Sequence, residues 1–293
     1  MGIKTGEGFC IARFILRKDE TMTKTIKVGA VIYDPKVTVI WDMIRQYIED
    51  QGHDILIEPV FFDDYRNQVK ALMNKEIDIA WNSPLANREA ELRLEGKVKY
   101  GLMRDTDRDL HTVLVAKKDS GIKSVEDVRG KKVAFGGIDS PQARLIPIQY
   151  LRENGMEFGK DYEEVRYDIG VGLDGDHTGG ELDAIKSVEA GENVAGFAIE
   201  GNFKAWTADG TVDGNQLEVI GKTNGFDHCI FTAHEDVADE DIEAFNAVLK
   251  TMDYSKKRDK EILDLEGLKE WVDGRTTNFT EIRKAVDYMN FFE

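Results

Sequence analysis

Apolar positions recur along this chain with two alternating periods. From Thr25, "TIKVGAVI" reads as a strand, and "DPKV" as its exit turn. In "VTVIWDMIRQYIED", Val37, Ile40, Trp41, Ile44, Tyr47 and Ile48 fall on one face at helical spacing. "DILIEPVFF" predicts a second strand, "YRNQVKALMNKE" a helix and "IDIAW" a short buried strand. "HTVLVAKKD" is another strand. Near Ser120 the pattern restarts. "SVEDVRG" is a short helix capped by Ser124, "KKVAFGG" a strand, and "PQARLIPIQYLREN" a helix closed by Gly155. "YEEVRYDI", "VAGFAI", "LEVIGKT" and "HCIFTAHE" read as strands, and "GGELDAIKSVEAGE" as a helix. "DEDIEAFNAVLKTMD" and "FTEIRKAVDYMNFF" form a helical tail.

Strands alternating with helices predict an α/β architecture of two lobes, each a mixed, mostly parallel sheet flanked by helices. A faint internal echo agrees. "VKALMNKEIDIAW" and "IKSVEAGENVAGF" share one order, with Val69 matching Ile185, Glu76 matching Glu192 and Trp81 matching Phe197. Two such lobes leave a crevice, and ligands of open α/β sheets bind beyond the carboxyl ends of strands. That rule selects the strand-exit loops at Tyr33-Asp34, Asp64-Tyr65, Asn82-Ser83, Asp139-Ser140, 172–177, Glu200–Asn202 and Asp227-His228.

Composition narrows the classes. The 293 residues are 41% hydrophobic, enough for an ordinary core. With 39 basic against 56 acidic residues the net charge is −17, which argues against nucleic acid or an anionic membrane as partner. No run of eighteen apolar residues occurs, so no transmembrane helix is expected. Cys10 and Cys229 lie too far apart to read as a structural disulfide from spacing. The leader, residues 1–24, has an apolar patch broken by Arg13 and lacks the apolar stretch of a secretory signal. As written the chain is therefore expected in the cytoplasm, with Met22 a candidate start.

The stretch "GGIDSPQARLIP" carries the most chemistry. Gly136 and Gly137 end a strand, Asp139 and Ser140 can cap a helix, and Pro141 suits its first position. Glycines there let a ligand approach, and the free amides of a helix start favour an anion. Pro141 removes one donor, however, and Asp139 adds a negative charge, which disfavours free phosphate. Pro147 is read as a kink. A metal alternative rests on His177 and Glu181, four apart, with His228 approaching from elsewhere. A metal-dependent enzyme would use that set. Against catalysis, no G-x-S-x-G elbow, Walker loop, G-x-G-x-x-G or H-E-x-x-H occurs. No cofactor is implied.

Several ordered motifs resemble one family: "FFDDY", "EIDIAWNSPLA", "HTVLVAKKDSGIKSVEDVRGKKVAFG", "DSPQARLIP" and the Asp in "GFDHCIFT". From about Thr25 onward the chain looks like the phosphonate/phosphate-type, PhnD-like substrate-binding proteins of ABC importers, which have the type II periplasmic-binding-protein fold. The resemblance implies two hinge crossovers, with residues 25–116 and 227–293 in lobe one and 117–226 in lobe two. It implies a monomer that captures a small ligand between its lobes by hinge closure and docks on a permease. Family members are usually periplasmic. A cytoplasmic ligand sensor on the same fold is the further alternative.

Residue by residue, Tyr65 stands at the place of a family tyrosine that touches the ligand, and Asn82 at a polar or aromatic contact. Where phosphonate-binding members read Ser-Thr-Ser-Gly, this chain keeps Ser140 and replaces the rest by Pro141, Gln142 and Ala143. Asp227 matches an acid that receives an amino group, and His177 lies near a histidine that some members use. The expected ligand-binding set is thus Tyr33, Tyr65, Asn82, Ser83, Asp139, Ser140, Gln142, His177, Glu200, Asp227 and His228. The expected ligand is phosphonate-like or zwitterionic, its acidic end at Ser140–Gln142 and its amine at Asp227 or Glu200.

Overall fold

The computed structural model describes residues 24–52, 54–174 and 179–293. The leader, Cys10, His53 and His177 lie outside the described residues.

The chain opens with β1 (Lys24–Val31), α1 (Lys36–Gln51), β2 (Ile55–Phe62), α2 (Tyr65–Met73), β3 (Ile79–Asn82), α3 (Pro84–Arg93), β4 (Val98–Tyr100) and β5 (Leu102–Arg104). It then crosses to β6 (Thr112–Lys117), β7 (Lys132–Phe135), α4 (Ile146–Glu153), β8 (Glu163–Arg166), α5 (Gly179–Ala190), β9 (Ala195–Ile199), α6 (Glu200–Asp209) and β10 (Leu217–Lys222). It returns through β11 (Ile230–His234), α7 (Asp239–Leu249), α8 (Lys257–Glu266), β12 (Trp271–Asp273) and α9 (Thr280–Met289).

Two five-stranded sheets result. One has the order β2-β1-β3-β11-β4, the other β8-β7-β9-β6-β10. In each, three strands pair in parallel about a central one, and the next strand, β11 or β6, runs antiparallel. The mixed, mostly parallel sheets are those the pattern predicted. The echo also finds its place: α2 leads into β3 and α5 into β9, which hold equivalent positions in the two sheets.

Local sequence explains the elements. All six residues of the predicted α1 face are buried, and Gly52 ends the helix at φ 66°. Burying each large apolar side chain there contributes about 2 kcal/mol. Strand β6 corrects the sequence reading. It was expected in lobe one, yet it pairs with β9 and β10 in the second sheet. The first crossover therefore lies near Leu110, which bridges Phe226 on the second crossover. Residues 112–117 are in lobe two because their backbone donors and acceptors are satisfied there.

One apolar cluster joins the lobes on the crossover side. Leu145 and Ile146 of lobe two meet Leu85, Met103 and Ile230 of lobe one, with Phe279, Ile282, Ala285 and Val286 of the tail between them. Tyr288 of α9 lies under Arg152, 4.1 Å from its ring centre, and accepts a hydrogen bond from Phe158 N. The tail thus fastens both lobes.

Candidate functional site

The site grows from the carboxyl ends of β7 and β9. Ser140 Oγ accepts a hydrogen bond from Ala143 N at 3.1 Å, capping the helical segment as expected. Pro141–Leu145 then winds as a wide π turn that runs into α4, a form common at functional sites. Arg144, buried, ties the turn down by donating to Glu164 and to Ile138 O.

The glycines do a different job from the one expected. A Cβ on Gly136 would stand 2.6 Å from Ala143 Cβ. One on Gly180 would stand 2.5 Å from Tyr167 O and 3.2 Å from Gly137 N. They let the starts of two helices sit directly against strand ends, and so bring polar side chains together.

Gln142 is the centre of that meeting. Its Nε2 donates to Glu181 Oε1 at 3.0 Å, and its Oε1 faces His228 Nε2 at 3.4 Å. Glu181 Oε2 accepts from Ile199 N at 2.9 Å and from Asn202 Nδ2 at 3.2 Å. Thr112 Oγ1 fixes Gln142 O from below. Burial raises the Glu181 carboxyl above the usual range, against the pull of its three donors.

His228 and Cys229 both turn toward one point, with Nδ1 3.1 Å from Sγ, because the chain is not yet in β11. Asp107 Oδ1 lies 3.7 Å from the same nitrogen. Burial lowers His228 to about 4, so it is neutral at pH 7. These three buried donors are close enough for one ion. Arg104, however, already holds both oxygens of Asp107, at 2.6 and 2.9 Å, and its charge opposes a second cation. Of the metal set read from sequence, Glu181 and His228 meet the two ends of the Gln142 amide, and His177 lies outside the described residues.

The second wall is a strap, residues 170–174. Asp139 Oδ2 accepts from Gly172 N at 2.5 Å and Asp174 N at 3.3 Å. Gly172 O accepts from Tyr65 N in lobe one, and Leu173 packs against the cluster that holds Tyr65. The strap thus closes one lobe onto the other. Burial, then Asp139 and then Glu89 push the Asp174 carboxyl well above its usual range. No N–H reaches the buried Asp139 Oδ1, and the Asp174 side chain bonds the Asp139 carboxyl group.

On the lobe-one side Ser83 caps α3 through Ala86 N. Asn82 Oδ1 accepts from Gln68 Nε2, leaving Asn82 Nδ2 buried and unpaired. Gln68 carries no sequence signal, since a glutamine on a predicted helix reads as surface.

Three expected residues have partners within the protein. Asp227 is consumed by its own chain: Arg275 donates to both oxygens at 2.6 and 2.9 Å, and Asp109 N adds a third bond. Asn278 Nδ2 adds a fourth at 3.3 Å, and the Asp227 carboxylate is fully buried. Glu200 opens α6 as a partner of Lys204 and Lys222, which hold it down to about 2. Tyr33 packs against the lobe-one core. The structure gathers Asp139, Ser140, Gln142 and His228 with Glu181, and places Tyr65, Asn82 and Ser83 at the facing helix starts.

Two α/β lobes joined by two crossovers, with polar helix starts between them, are the architecture of the type II periplasmic-binding-protein class. The chain belongs to the family described as "ABC transporter, phosphonate, periplasmic substrate-binding protein", whose model matches residues 31–279. It is 22% identical over 279 residues to a probable ABC transporter phosphite binding protein, PhnD1, of Prochlorococcus marinus (strain MIT 9301), covering 91% of this chain and 90% of that one. The structure of PhnD1 with methylphosphonate superposes with a TM-score of 0.66 at 19% identity, covering 92% and 99% of the two chains. XAC2383 from Xanthomonas citri bound to ATP gives 0.70 at 16% identity, again covering 92% and 99%. Among the described residues no helix is long and apolar enough to cross a membrane.

Proposed function

We propose that this protein captures a small zwitterionic organic ligand, of the aminoalkylphosphonate or aminoalkylsulfonate class, in the cleft between its lobes. It serves an ABC importer as a periplasmic monomer that hands the ligand to a permease. The observation that carries this reading is Asp139 Oδ1, a buried acceptor that no N–H reaches, in a carboxyl group bonded to the strap and to the Asp174 side chain. A buried carboxylate oxygen short of donors is costly, and an ammonium group would relieve it. Asp139, with Asp174 beside it, replaces Asp227 and Glu200 as the seat of the amine. The ligand's acidic group goes to the start of α3, where Asn82 Nδ2 is unpaired and the helix terminus favours negative charge.

Closure follows from the same contacts. A ligand that bonds Asp139 and the α3 start at once favours the closed state over the open one. Calorimetry with an aminoalkylphosphonate tests the reading. Binding by the wild type and a loss of at least tenfold in Asp139→Asn support it, a charge-assisted bond being worth about that much. Equal affinity in the variant removes Asp139 from the site.

A further inference from the structure

We infer that Glu181 sets the charge this cleft accepts: its carboxylate is a built-in anion on the lobe-two floor, and it excludes free dianions such as inorganic phosphate. The inference rests on the cleft being the ligand site.

The donors around Glu181 come from three separate elements. Gln142 Nε2 comes from the π turn, Ile199 N from the end of β9 and Asn202 Nδ2 from α6. Glu181 itself sits in the first turn of α5. All of these lie at the carboxyl ends of lobe-two strands, where an α/β sheet holds its ligand. Convergent donors beside helix starts are what an oxyanion needs, and here the chain supplies the oxyanion itself. The carboxylate occupies both oxygens with these donors, so an incoming phosphoryl group would have to compete with it for them.

Neighbouring charges reinforce the exclusion. Asp139 adds a second buried carboxyl group on the same lobe. A phosphate dianion seated on this floor would meet like charge and displace nothing but a satisfied carboxylate. A zwitterion avoids both costs, with its amine toward Asp139 and its acid toward the other lobe.

The test is calorimetry and thermal shift on the full chain with inorganic phosphate at neutral pH. Wild type should show no melting-temperature rise in millimolar phosphate. Glu181→Gln removes the charge and keeps the shape, and should gain phosphate affinity by roughly a hundredfold. Glu181→Ala, which empties the seat, should gain it too. Phosphate stabilising the wild type by several degrees overturns the inference without need of a variant. So does a folded Glu181→Gln with no gain. If Glu181→Gln gains phosphate while no aminoalkylphosphonate binds the wild type, the inference stands and the zwitterion reading falls.

Discussion

Arg275 grips Asp227 with two hydrogen bonds, 2.6 and 2.9 Å long, and its Nη2 also donates to Asp109 Oδ1 at 2.7 Å. The pair pins the tail segment before α9 to the second crossover. Asp227 is fully buried, whereas Arg275 is a third exposed. Removing the arginine therefore leaves a buried carboxylate short of its main partner. Removing the aspartate leaves a cation that still has Asp109 and water. Arg275→Ala is expected to cost about 3 kcal/mol in chemical denaturation, and Asp227→Ala about half that. Neither change should move ligand affinity more than the loss of folded protein explains.

Stability should respond to pH through two buried groups near Arg104. His228 titrates near 4 in the fold against an ordinary 6.5, because burial disfavours its charge. The unfolded chain binds that proton first, so the stability from neutral His228 is full above 6.5 and is lost as pH falls toward 4. Glu266 runs the other way. Burial raises it from 4.5 to about 7, so its stability is full below 4.5 and is lost as pH rises through 7. Each amounts to about 3 kcal/mol, and between 4.5 and 6.5 they oppose one another. Urea midpoints of the wild type should change little across that window. Those of Glu266→Gln should climb with pH, and those of His228→Asn should fall.

Gly180 has no room for a methyl group, since the obstructing atoms are the backbone of Tyr167 and Gly137. Gly180→Ala should cost about 2–3 kcal/mol by overpacking. It should also displace Glu181, the next residue, and so loosen the bond to Gln142. Thermal melting reads the first effect. The second appears as weaker binding of an aminoalkylphosphonate by protein that remains folded.

Leu173 is the apolar foot of the strap and stands against the Tyr65 cluster of the other lobe. Leu173→Ala should leave each lobe's core intact while weakening the closed state. Hydrogen exchange at residues 170–174 should quicken at least several-fold, with β1 and β7 unchanged. Uniform quickening of both sheets would show instead that the strap stabilises the whole fold.

Some of this was legible in the chain and some was not. α1 was legible because one full face is apolar, and Val37, Ile40, Trp41, Ile44, Tyr47 and Ile48 are all buried. α3 left no such stripe, since its buried positions include Asn87, Glu89 and Glu91. Asn87 accepts from Thr232 and Glu91 from Arg283, partners 145 and 192 residues away that no periodicity reveals. β6 was seen as a strand but placed in the wrong lobe, because local pattern does not say which sheet takes a strand's hydrogen bonds. At the Ser140 corner, the cap and Pro141 at the helix start were read correctly. The pairings that give it meaning, Gln142 with Glu181 and Asp227 with Arg275, span 39 and 48 residues. For that reason Asp227 read as a free acid and Glu181 as a metal ligand.

The most direct measurement is a crystal structure of the protein with an aminoalkylphosphonate. The account predicts closed lobes around the molecule, its nitrogen within hydrogen-bond distance of Asp139 Oδ1 and its acidic group at the start of α3. A molecule bound outside the cleft, or one with its phosphonate on Gln142 and Glu181 swung away, would contradict it.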